Sequence, residues 1–106
     1  MKDKVAVITG STSGIGLEIA KHFAKLESKI VINGFAKEDE VAKISAELKE
    51  LGARAVFYQG INLEKPDEIH SMFERIIKEF GKIDILVNNA GIQHVAPIDE
   101  FPEDKW

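Results

Sequence analysis

The sequence predicts an α/β domain in which helices cover both faces of a parallel sheet. Four short segments that are apolar at nearly every position alternate with three segments whose apolar residues recur every three or four positions. Strands that are apolar throughout are typical of parallel sheets, because both of their faces are buried. The first strand also runs directly into a glycine-rich turn and a helix, which begins a strand–helix–strand unit.

The predicted elements follow one another along the whole chain of 106 residues. The strands are expected at residues 4–9, 29–33, 54–59 and 83–88, and the helices at 14–26, 38–51 and 66–80. Pro66 suits the first position of the third helix, where its missing N–H group is not needed. Right-handed crossovers and a doubly wound arrangement predict the strand order 3-2-1-4.

Each helix has one apolar face, which we expect to pack on the sheet. The residues of these faces are Ile15, Ile19, Phe23 and Leu26 in the first helix, Val41, Ile44, Leu48 and Leu51 in the second, and Ile69, Met72, Phe73, Ile76, Ile77 and Phe80 in the third. Gly52 and Gly81 follow the second and third helices, where glycine commonly ends a helix.

The composition favours a single cytoplasmic domain. The chain is 44% hydrophobic and 30% charged with a net charge of −4, so it has no electrostatic drive toward nucleic acid or anionic membranes. No apolar run approaches the ~20 residues that span a bilayer, and no signal-peptide pattern precedes the first strand. The absence of cysteine excludes disulfides and thiolate metal sites, and the three histidines lack metal-ligand spacing, so no metal is expected.

The turn after the first strand has the features of a phosphate-binding loop. Gly10, Gly14 and Gly16 remove the Cβ atoms that would hold a phosphate away from the backbone N–H groups. The helix that follows directs its unpaired N–H groups and the positive end of its dipole at the same place. The turn therefore predicts a site for the pyrophosphate of a dinucleotide, and a plain strand-to-helix turn without a ligand is the alternative.

A second motif follows the fourth strand, which is expected beside the first. It reads Asn88-Asn89-Ala90-Gly91 and borders the crevice at the carboxyl ends of the strands, where such sheets bind ligands. Together with Thr9-Gly10-x-x-x-Gly14-Ile15-Gly16, it resembles the short-chain dehydrogenase/reductase family, and the resemblance covers the whole chain. The resemblance implies a Rossmann-type fold, of which residues 1–106 would form the N-terminal half, and a nicotinamide cofactor.

The resemblance also implies which residues contact each part of that cofactor. They are Gly10, Ser13, Ile15 and Gly16 at the pyrophosphate and the nicotinamide side, Asn62 and Leu63 at the adenine, and Asn89, Ala90 and Gly91 at the adenosine ribose. In the family, the position of Asn62 usually holds an Asp that accepts a hydrogen bond from the adenine amino group. An amide oxygen can accept the same bond without the charge.

The second strand ends in Asn33-Gly34-Phe35, which bears on the choice between NAD and NADP. An NAD site commonly places an acidic residue here to hold the ribose hydroxyls, and this chain has none. It also has no Arg or Lys at these positions or just before Gly14, where the 2′-phosphate of NADP would need one. The side chain of Phe35 would crowd that phosphate, so NAD is predicted in preference to NADP.

Three local stretches resemble the hydroxybutyrate dehydrogenases within this family. They are residues 10–16, residues 33–35 and Gly91-Ile92-Gln93-His94. The resemblance implies a small hydroxy acid as substrate, with the Gln93 amide donating to its carboxylate. From position alone, a loop glutamine that caps a backbone group is an equal alternative for Gln93, and His94 is expected to be a loop histidine rather than a base.

The residues that perform hydride transfer in the family are not found in this sequence. The family uses a Tyr with a Lys four residues later, whereas Tyr58 is followed by Asn62 at that spacing and is expected to pack on the sheet. We therefore expect no catalytic residue, an inactive cofactor-binding part of a hydroxybutyrate dehydrogenase, and self-association through an open edge of the fourth strand. The alternatives are part of an NADP-dependent 3-oxoacyl-carrier reductase, or a remnant that serves only as a binding or interaction module.

Overall fold

The computed structural model describes residues 2–89 and the strand 95–97. Strands and helices alternate as predicted, and their ends lie within two residues of the predicted ones. The elements are β1 (Val5–Ile8), α1 (Gly14–Lys25), β2 (Lys29–Asn33), α2 (Glu38–Leu51), β3 (Ala55–Gln59), α3 (Pro66–Phe80), β4 (Ile85–Val87) and β5 (Val95–Pro97).

The sheet has the order β3-β2-β1-β4-β5, and its first four strands are parallel. The predicted order 3-2-1-4 is therefore confirmed. Val7 of β1 pairs with Val31 on one side and with Leu86 on the other, so β1 lies inside the sheet. Because the four strands run in the same direction, the loops that follow them meet at one edge, which we call the carboxyl edge.

The predicted open edge of strand four is wrong. Residues 95–97 form β5 and pair antiparallel with β4, with Leu86 opposite Ala96. The chain returns to cover the edge that would otherwise offer unpaired N–H and C=O groups to another molecule. Pro97 ends the new edge strand, and proline suits an edge because it has no N–H to donate. Self-association was predicted through the free edge of β4, but β5 already occupies that edge.

The two faces of the sheet carry separate clusters of buried side chains. On one face, Ala6 and Ile8 of β1 pack with Ala20 and Ala24 of α1 and with Leu48 of α2. On the other face, residues that include Val5, Val7 and Leu86 pack with Met72 and Ile76 of α3. All four residues of β1 are fully buried, as expected of a strand covered on both sides. Helices on both faces of a Rossmann-type sheet are thus confirmed.

The predicted apolar face of α1 is confirmed in its centre, where Ile19 and Phe23 are half-buried against the sheet cluster, and is wrong at its two ends. The fully buried side of the helix comprises Gly16, Ala20 and Ala24. Ile15 and Leu26 are 61% and 46% exposed. Small residues let the helix backbone approach the sheet closely, which moves the larger side chains to its flanks.

The outer flank of α1 carries an open groove. Ile15, Ile19 and Phe23 line the groove together with polar residues such as Glu18 and His22.

In α3, Ile77 was expected to face inward and is 47% exposed. Among the described residues, no helix is long and apolar enough to cross a membrane.

Candidate cofactor site

The turn between β1 and α1 leaves the beginning of the helix accessible. Gly10 and Gly14 have φ angles of 59° and 58°, a backbone region that residues with a Cβ rarely adopt. Ser13 is the exposed N-cap residue of α1, and its side chain makes no capping hydrogen bond. The first turn of α1 contains no acidic residue. The helix N-terminus therefore has no side-chain cap and no carboxylate in its first turn, which suits a pyrophosphate.

Gly16 is required by a close approach between the helix and the turn. A Cβ at this position would overlap the carbonyl oxygen of Gly10 and lie 2.7 Å from the side-chain nitrogen of Asn89. The first of these contacts is with backbone, which cannot move aside as a flexible side chain would. The third glycine of the motif thus allows α1 to begin directly against the turn.

The two motifs are joined by hydrogen bonds. The Asn89 side-chain amide donates to the Gly10 carbonyl at 3.3 Å, across 79 positions of sequence. Beside it, the backbone N–H of Thr9 donates to the Val87 carbonyl at 3.0 Å, and the Thr9 hydroxyl lies 3.2 Å from Asn88 Oδ1. The structure therefore brings Gly10, Gly16 and Asn89 together at one place on the carboxyl edge.

Asn33 anchors the glycine turn from the other side, a role that the sequence analysis missed. Its Oδ1 accepts the Gly10 N–H at 3.2 Å, and its Nδ2 donates to the Gln59 carbonyl at 2.8 Å. The Ser11 hydroxyl adds a bond to the Ile8 carbonyl at 2.7 Å and accepts the Asn33 N–H at 2.9 Å. The available signal was an amide residue at the end of an otherwise apolar strand, since a buried amide needs partners.

Phe35 lies on the loop that follows β2 and is 83% exposed. The neighbouring Gly34 is buried against Thr12 of the glycine turn, because a Cβ on Gly34 would overlap the Thr12 hydroxyl oxygen and lie 2.8 Å from its methyl carbon. The Phe35 loop and the glycine turn are therefore in direct contact. This contact places the backbone of the loop that carries Phe35 beside the glycine turn.

Asn62 and Leu63 belong to the loop between β3 and α3. Asn62 Oδ1 accepts the Glu64 N–H at 2.9 Å, and its own N–H donates to Glu68 at 3.1 Å, so the residue shapes the turn before α3. The oxygen retains a second lone pair, which is the one that would accept the predicted bond from the adenine amino group. Leu63 is half-buried against the cluster beneath α3.

The other predicted site residues, Ala90, Gly91 and Gln93, lie outside the described residues, as does His94. His22 and His70 are exposed as expected, and His70 Nε2 lies 2.8 Å from Glu74. Within residues 2–89 and 95–97, no group of three or more acidic or histidine side chains could hold a metal ion.

Two ionisable groups away from the carboxyl edge have displaced pKa values. Burial raises the pKa of Asp84, but its hydrogen bonds to the Val5 N–H and to Lys82 outweigh this effect and hold the pKa below its usual value. Asp84 therefore links the beginnings of β1 and β4. On the helical face, a hydrogen bond to Glu47 is the main cause that raises the pKa of Lys21 and joins α1 to α2.

The similarity of this chain to known proteins extends over nearly its whole length. A model of the short chain dehydrogenase family matches residues 4–106. The chain is 47% identical over 103 residues to a D-beta-hydroxybutyrate dehydrogenase of Rhizobium meliloti, and 46% identical over 107 residues to one of Cupriavidus necator. The L-sorbose reductase of Gluconobacter frateurii, solved in complex with NADPH and L-sorbose, superposes with a TM-score of 0.76 at 39% identity.

These relatives are longer proteins. The alignments cover 97% and 100% of this chain and 40% of each hydroxybutyrate dehydrogenase, and the superposition covers 100% of this chain and 40% of the reductase. The chain thus spans about 40% of the length of these relatives, and this part includes both the glycine turn and the segment after β4. The chain belongs to the short-chain dehydrogenase family.

Proposed function

We propose that this chain binds the adenosine and pyrophosphate half of NAD, as part of a dehydrogenase that interconverts 3-hydroxybutyrate and acetoacetate. The observation that carries the proposal is the meeting of Gly10, Gly16 and Asn89 at the open N-terminus of α1. Backbone N–H groups and a helix dipole converge there without an acidic side chain in the first turn. The similarity to two D-beta-hydroxybutyrate dehydrogenases supports the substrate class.

The preference for NAD over NADP is supported by the charges that follow β2. Phe35 offers an apolar ring where a 2′-phosphate would require a cation. Lys37 is the nearest cation along the chain, and the first turn of α2 then carries Glu38, Asp39 and Glu40. Three carboxylates against one ammonium group disfavour a second phosphate at this edge.

A second candidate is an NADP-dependent reductase of the same family, such as a 3-oxoacyl-carrier reductase. The observation in its favour is the L-sorbose reductase, which is 39% identical to this chain and was solved with NADPH. The lack of an acidic residue at 33–35 removes the usual obstacle to a 2′-phosphate.

Calorimetric titration of the 106-residue chain with NADH and NADPH separates the two candidates. We expect NADH to bind more tightly, and tighter binding of NADPH would favour the reductase. ADP-ribose should bind about as well as NADH, because the proposed contacts are with the adenosine and pyrophosphate groups that both molecules contain. Binding of neither nucleotide would support the reading of the chain as a remnant without a cofactor.

We also propose that the chain does not turn over by itself. In the family, the acid/base is a Tyr with a Lys four residues later, and Tyr58 is followed there by Asn62. The Tyr58 hydroxyl is moreover engaged by the Gly34 carbonyl at 2.8 Å. Incubation of the purified chain with NAD and 3-hydroxybutyrate should produce no absorbance of NADH, and measurable NADH formation would contradict this part of the proposal.

A further inference from the structure

We propose that Tyr58 is a positioning residue that sets the preference between NAD and NADP, because it fixes the loop that carries Phe35. The inference rests on the proposed function and adds a determinant of cofactor choice outside the glycine turn. The side chain of Tyr58 packs in the cluster beneath α1 and α2, and the residue pairs with Ile32 in the sheet.

The phenol group of Tyr58 reaches beyond the end of β2. Its hydroxyl donates to the Gly34 carbonyl at 2.8 Å and accepts the Ala36 N–H at 3.4 Å. These two residues flank Phe35 in the chain. One hydroxyl group therefore holds the backbone on both sides of an aromatic residue that is itself 83% exposed.

Two glycines make this arrangement possible. A Cβ on Gly60 would lie 2.6 Å from the Tyr58 hydroxyl oxygen and 2.9 Å from its ring, so the missing side chain provides the space for the phenol. The same loop contacts the glycine turn, because Gly34 is buried against Thr12, as described above. The Phe35 loop is thus held between the Tyr58 hydroxyl and the glycine turn.

The position of the Phe35 loop explains how the Tyr58 hydrogen bonds would affect cofactor choice. Asn33, which immediately precedes the loop, accepts the Gly10 N–H, so the loop is fixed relative to the pyrophosphate site itself. In sheets of this kind, the end of the second strand lies next to the adenosine ribose. A large apolar ring held there excludes a 2′-phosphate by bulk and by its lack of positive charge, whereas a ring on a loose loop could swing away.

The test compares Tyr58→Phe with the unmodified chain in titrations with NADH and NADPH. The variant keeps the ring and removes only the hydroxyl group. We expect the ratio of the two dissociation constants to fall by about fivefold, the usual value of one hydrogen bond, mainly because NADPH binds better. If Tyr58 had a purely structural role, its loss would weaken the binding of both nucleotides equally. An unchanged ratio of the two dissociation constants would therefore overturn the proposal.

A double-mutant cycle with Phe35→Ala tests whether Tyr58 acts through this ring. Phe35→Ala alone should lower the preference for NADH at least as much as Tyr58→Phe does. The double variant should show the same preference as Phe35→Ala alone. Additive effects would overturn the proposal. Lys49→Ala, an exposed change on α2, serves as the control and should keep the original ratio.

Hydrogen exchange gives a readout that needs no nucleotide. Because the Ala36 N–H donates to the Tyr58 hydroxyl, it should exchange faster in Tyr58→Phe, while amides in the middle of β1 keep their rates. If the unmodified chain binds neither nucleotide or prefers NADPH, the proposed function and this inference fail together. If it prefers NADH and Tyr58→Phe retains the same ratio, only this inference fails.

Discussion

The side-chain amide of Asn89 donates to the carbonyl oxygen of Gly10 at 3.3 Å, and these two residues lie 79 positions apart in sequence. Their contact joins the two motifs by which the family is recognised. Gly16 completes the junction, because any Cβ there would collide with the Gly10 carbonyl and crowd the Asn89 amide. The glycine turn is consequently shaped by tertiary contacts and not by its glycines alone.

Replacement of Asn89 by alanine should loosen the turn. The Gly10 carbonyl loses a hydrogen bond, so we expect a loss of about 1 kcal/mol in the free energy of unfolding. Binding of ADP-ribose should weaken several-fold, because the N–H groups are less well ordered. Urea unfolding and calorimetry measure the two effects, with Lys49→Ala as the exposed control. Unchanged nucleotide binding would show that the junction does not shape the site.

Gly16→Ala should be more damaging than Asn89→Ala. The new methyl group overlaps backbone that cannot rotate away, so α1 must shift from the turn at a cost of roughly 1–3 kcal/mol. Thermal unfolding followed by circular dichroism measures this cost. Lys25→Ala is the matched control, because Lys25 is an exposed residue of the same helix. Equal stability of the two variants would contradict the close approach described here.

Asn33→Asp tests whether the acidic residue common in NAD sites could stand at this position. Asn33 is buried, and its Nδ2 donates to the Gln59 carbonyl at 2.8 Å, a bond that a carboxylate cannot make. Burial beside a carbonyl should raise the pKa of the introduced carboxyl group above its unfolded value. The variant should therefore be most stable below that unfolded pKa and lose stability as the pH rises through the folded pKa. Urea midpoints that do not change with pH in this direction would contradict the expected burial.

The contribution of Asp84 to stability should depend on pH in the opposite direction. Its pKa in the folded chain lies below the usual value of 3.8, because the Val5 N–H and Lys82 stabilise the carboxylate. Its contribution is fully present above the unfolded pKa and is lost as the pH falls through the lower folded pKa. Asp84→Asn should cost about 1 kcal/mol near neutral pH and less in acid. A cost that is independent of pH would exclude an electrostatic role for Asp84.

Much of this architecture could be predicted from the sequence, because each strand is apolar throughout and each helix is periodic. The face of α1 was predicted only in part: Ile19 and Phe23 pack on the sheet as expected, but the buried alanines carry little weight in a pattern of large apolar residues. β5 was missed because three residues ending in proline give almost no strand signal. In the site, the meeting of the two motifs was anticipated. The role of Tyr58 depends on contacts between strands, which no local pattern encodes, and the only local signal for Asn33 was an amide residue at the end of an apolar strand.

The most direct test of the proposed cofactor site is a titration of the isotopically labelled 106-residue chain with ADP-ribose, followed by amide NMR. We expect the amide signals of Ser13, Ile15, Gly16 and Asn89 to shift together, with a dissociation constant on the order of 0.1–1 mM. Shifts confined to the outer groove of α1 around Ile19 and Phe23, or no shifts at all, would contradict a nucleotide site at the junction of Gly10, Gly16 and Asn89.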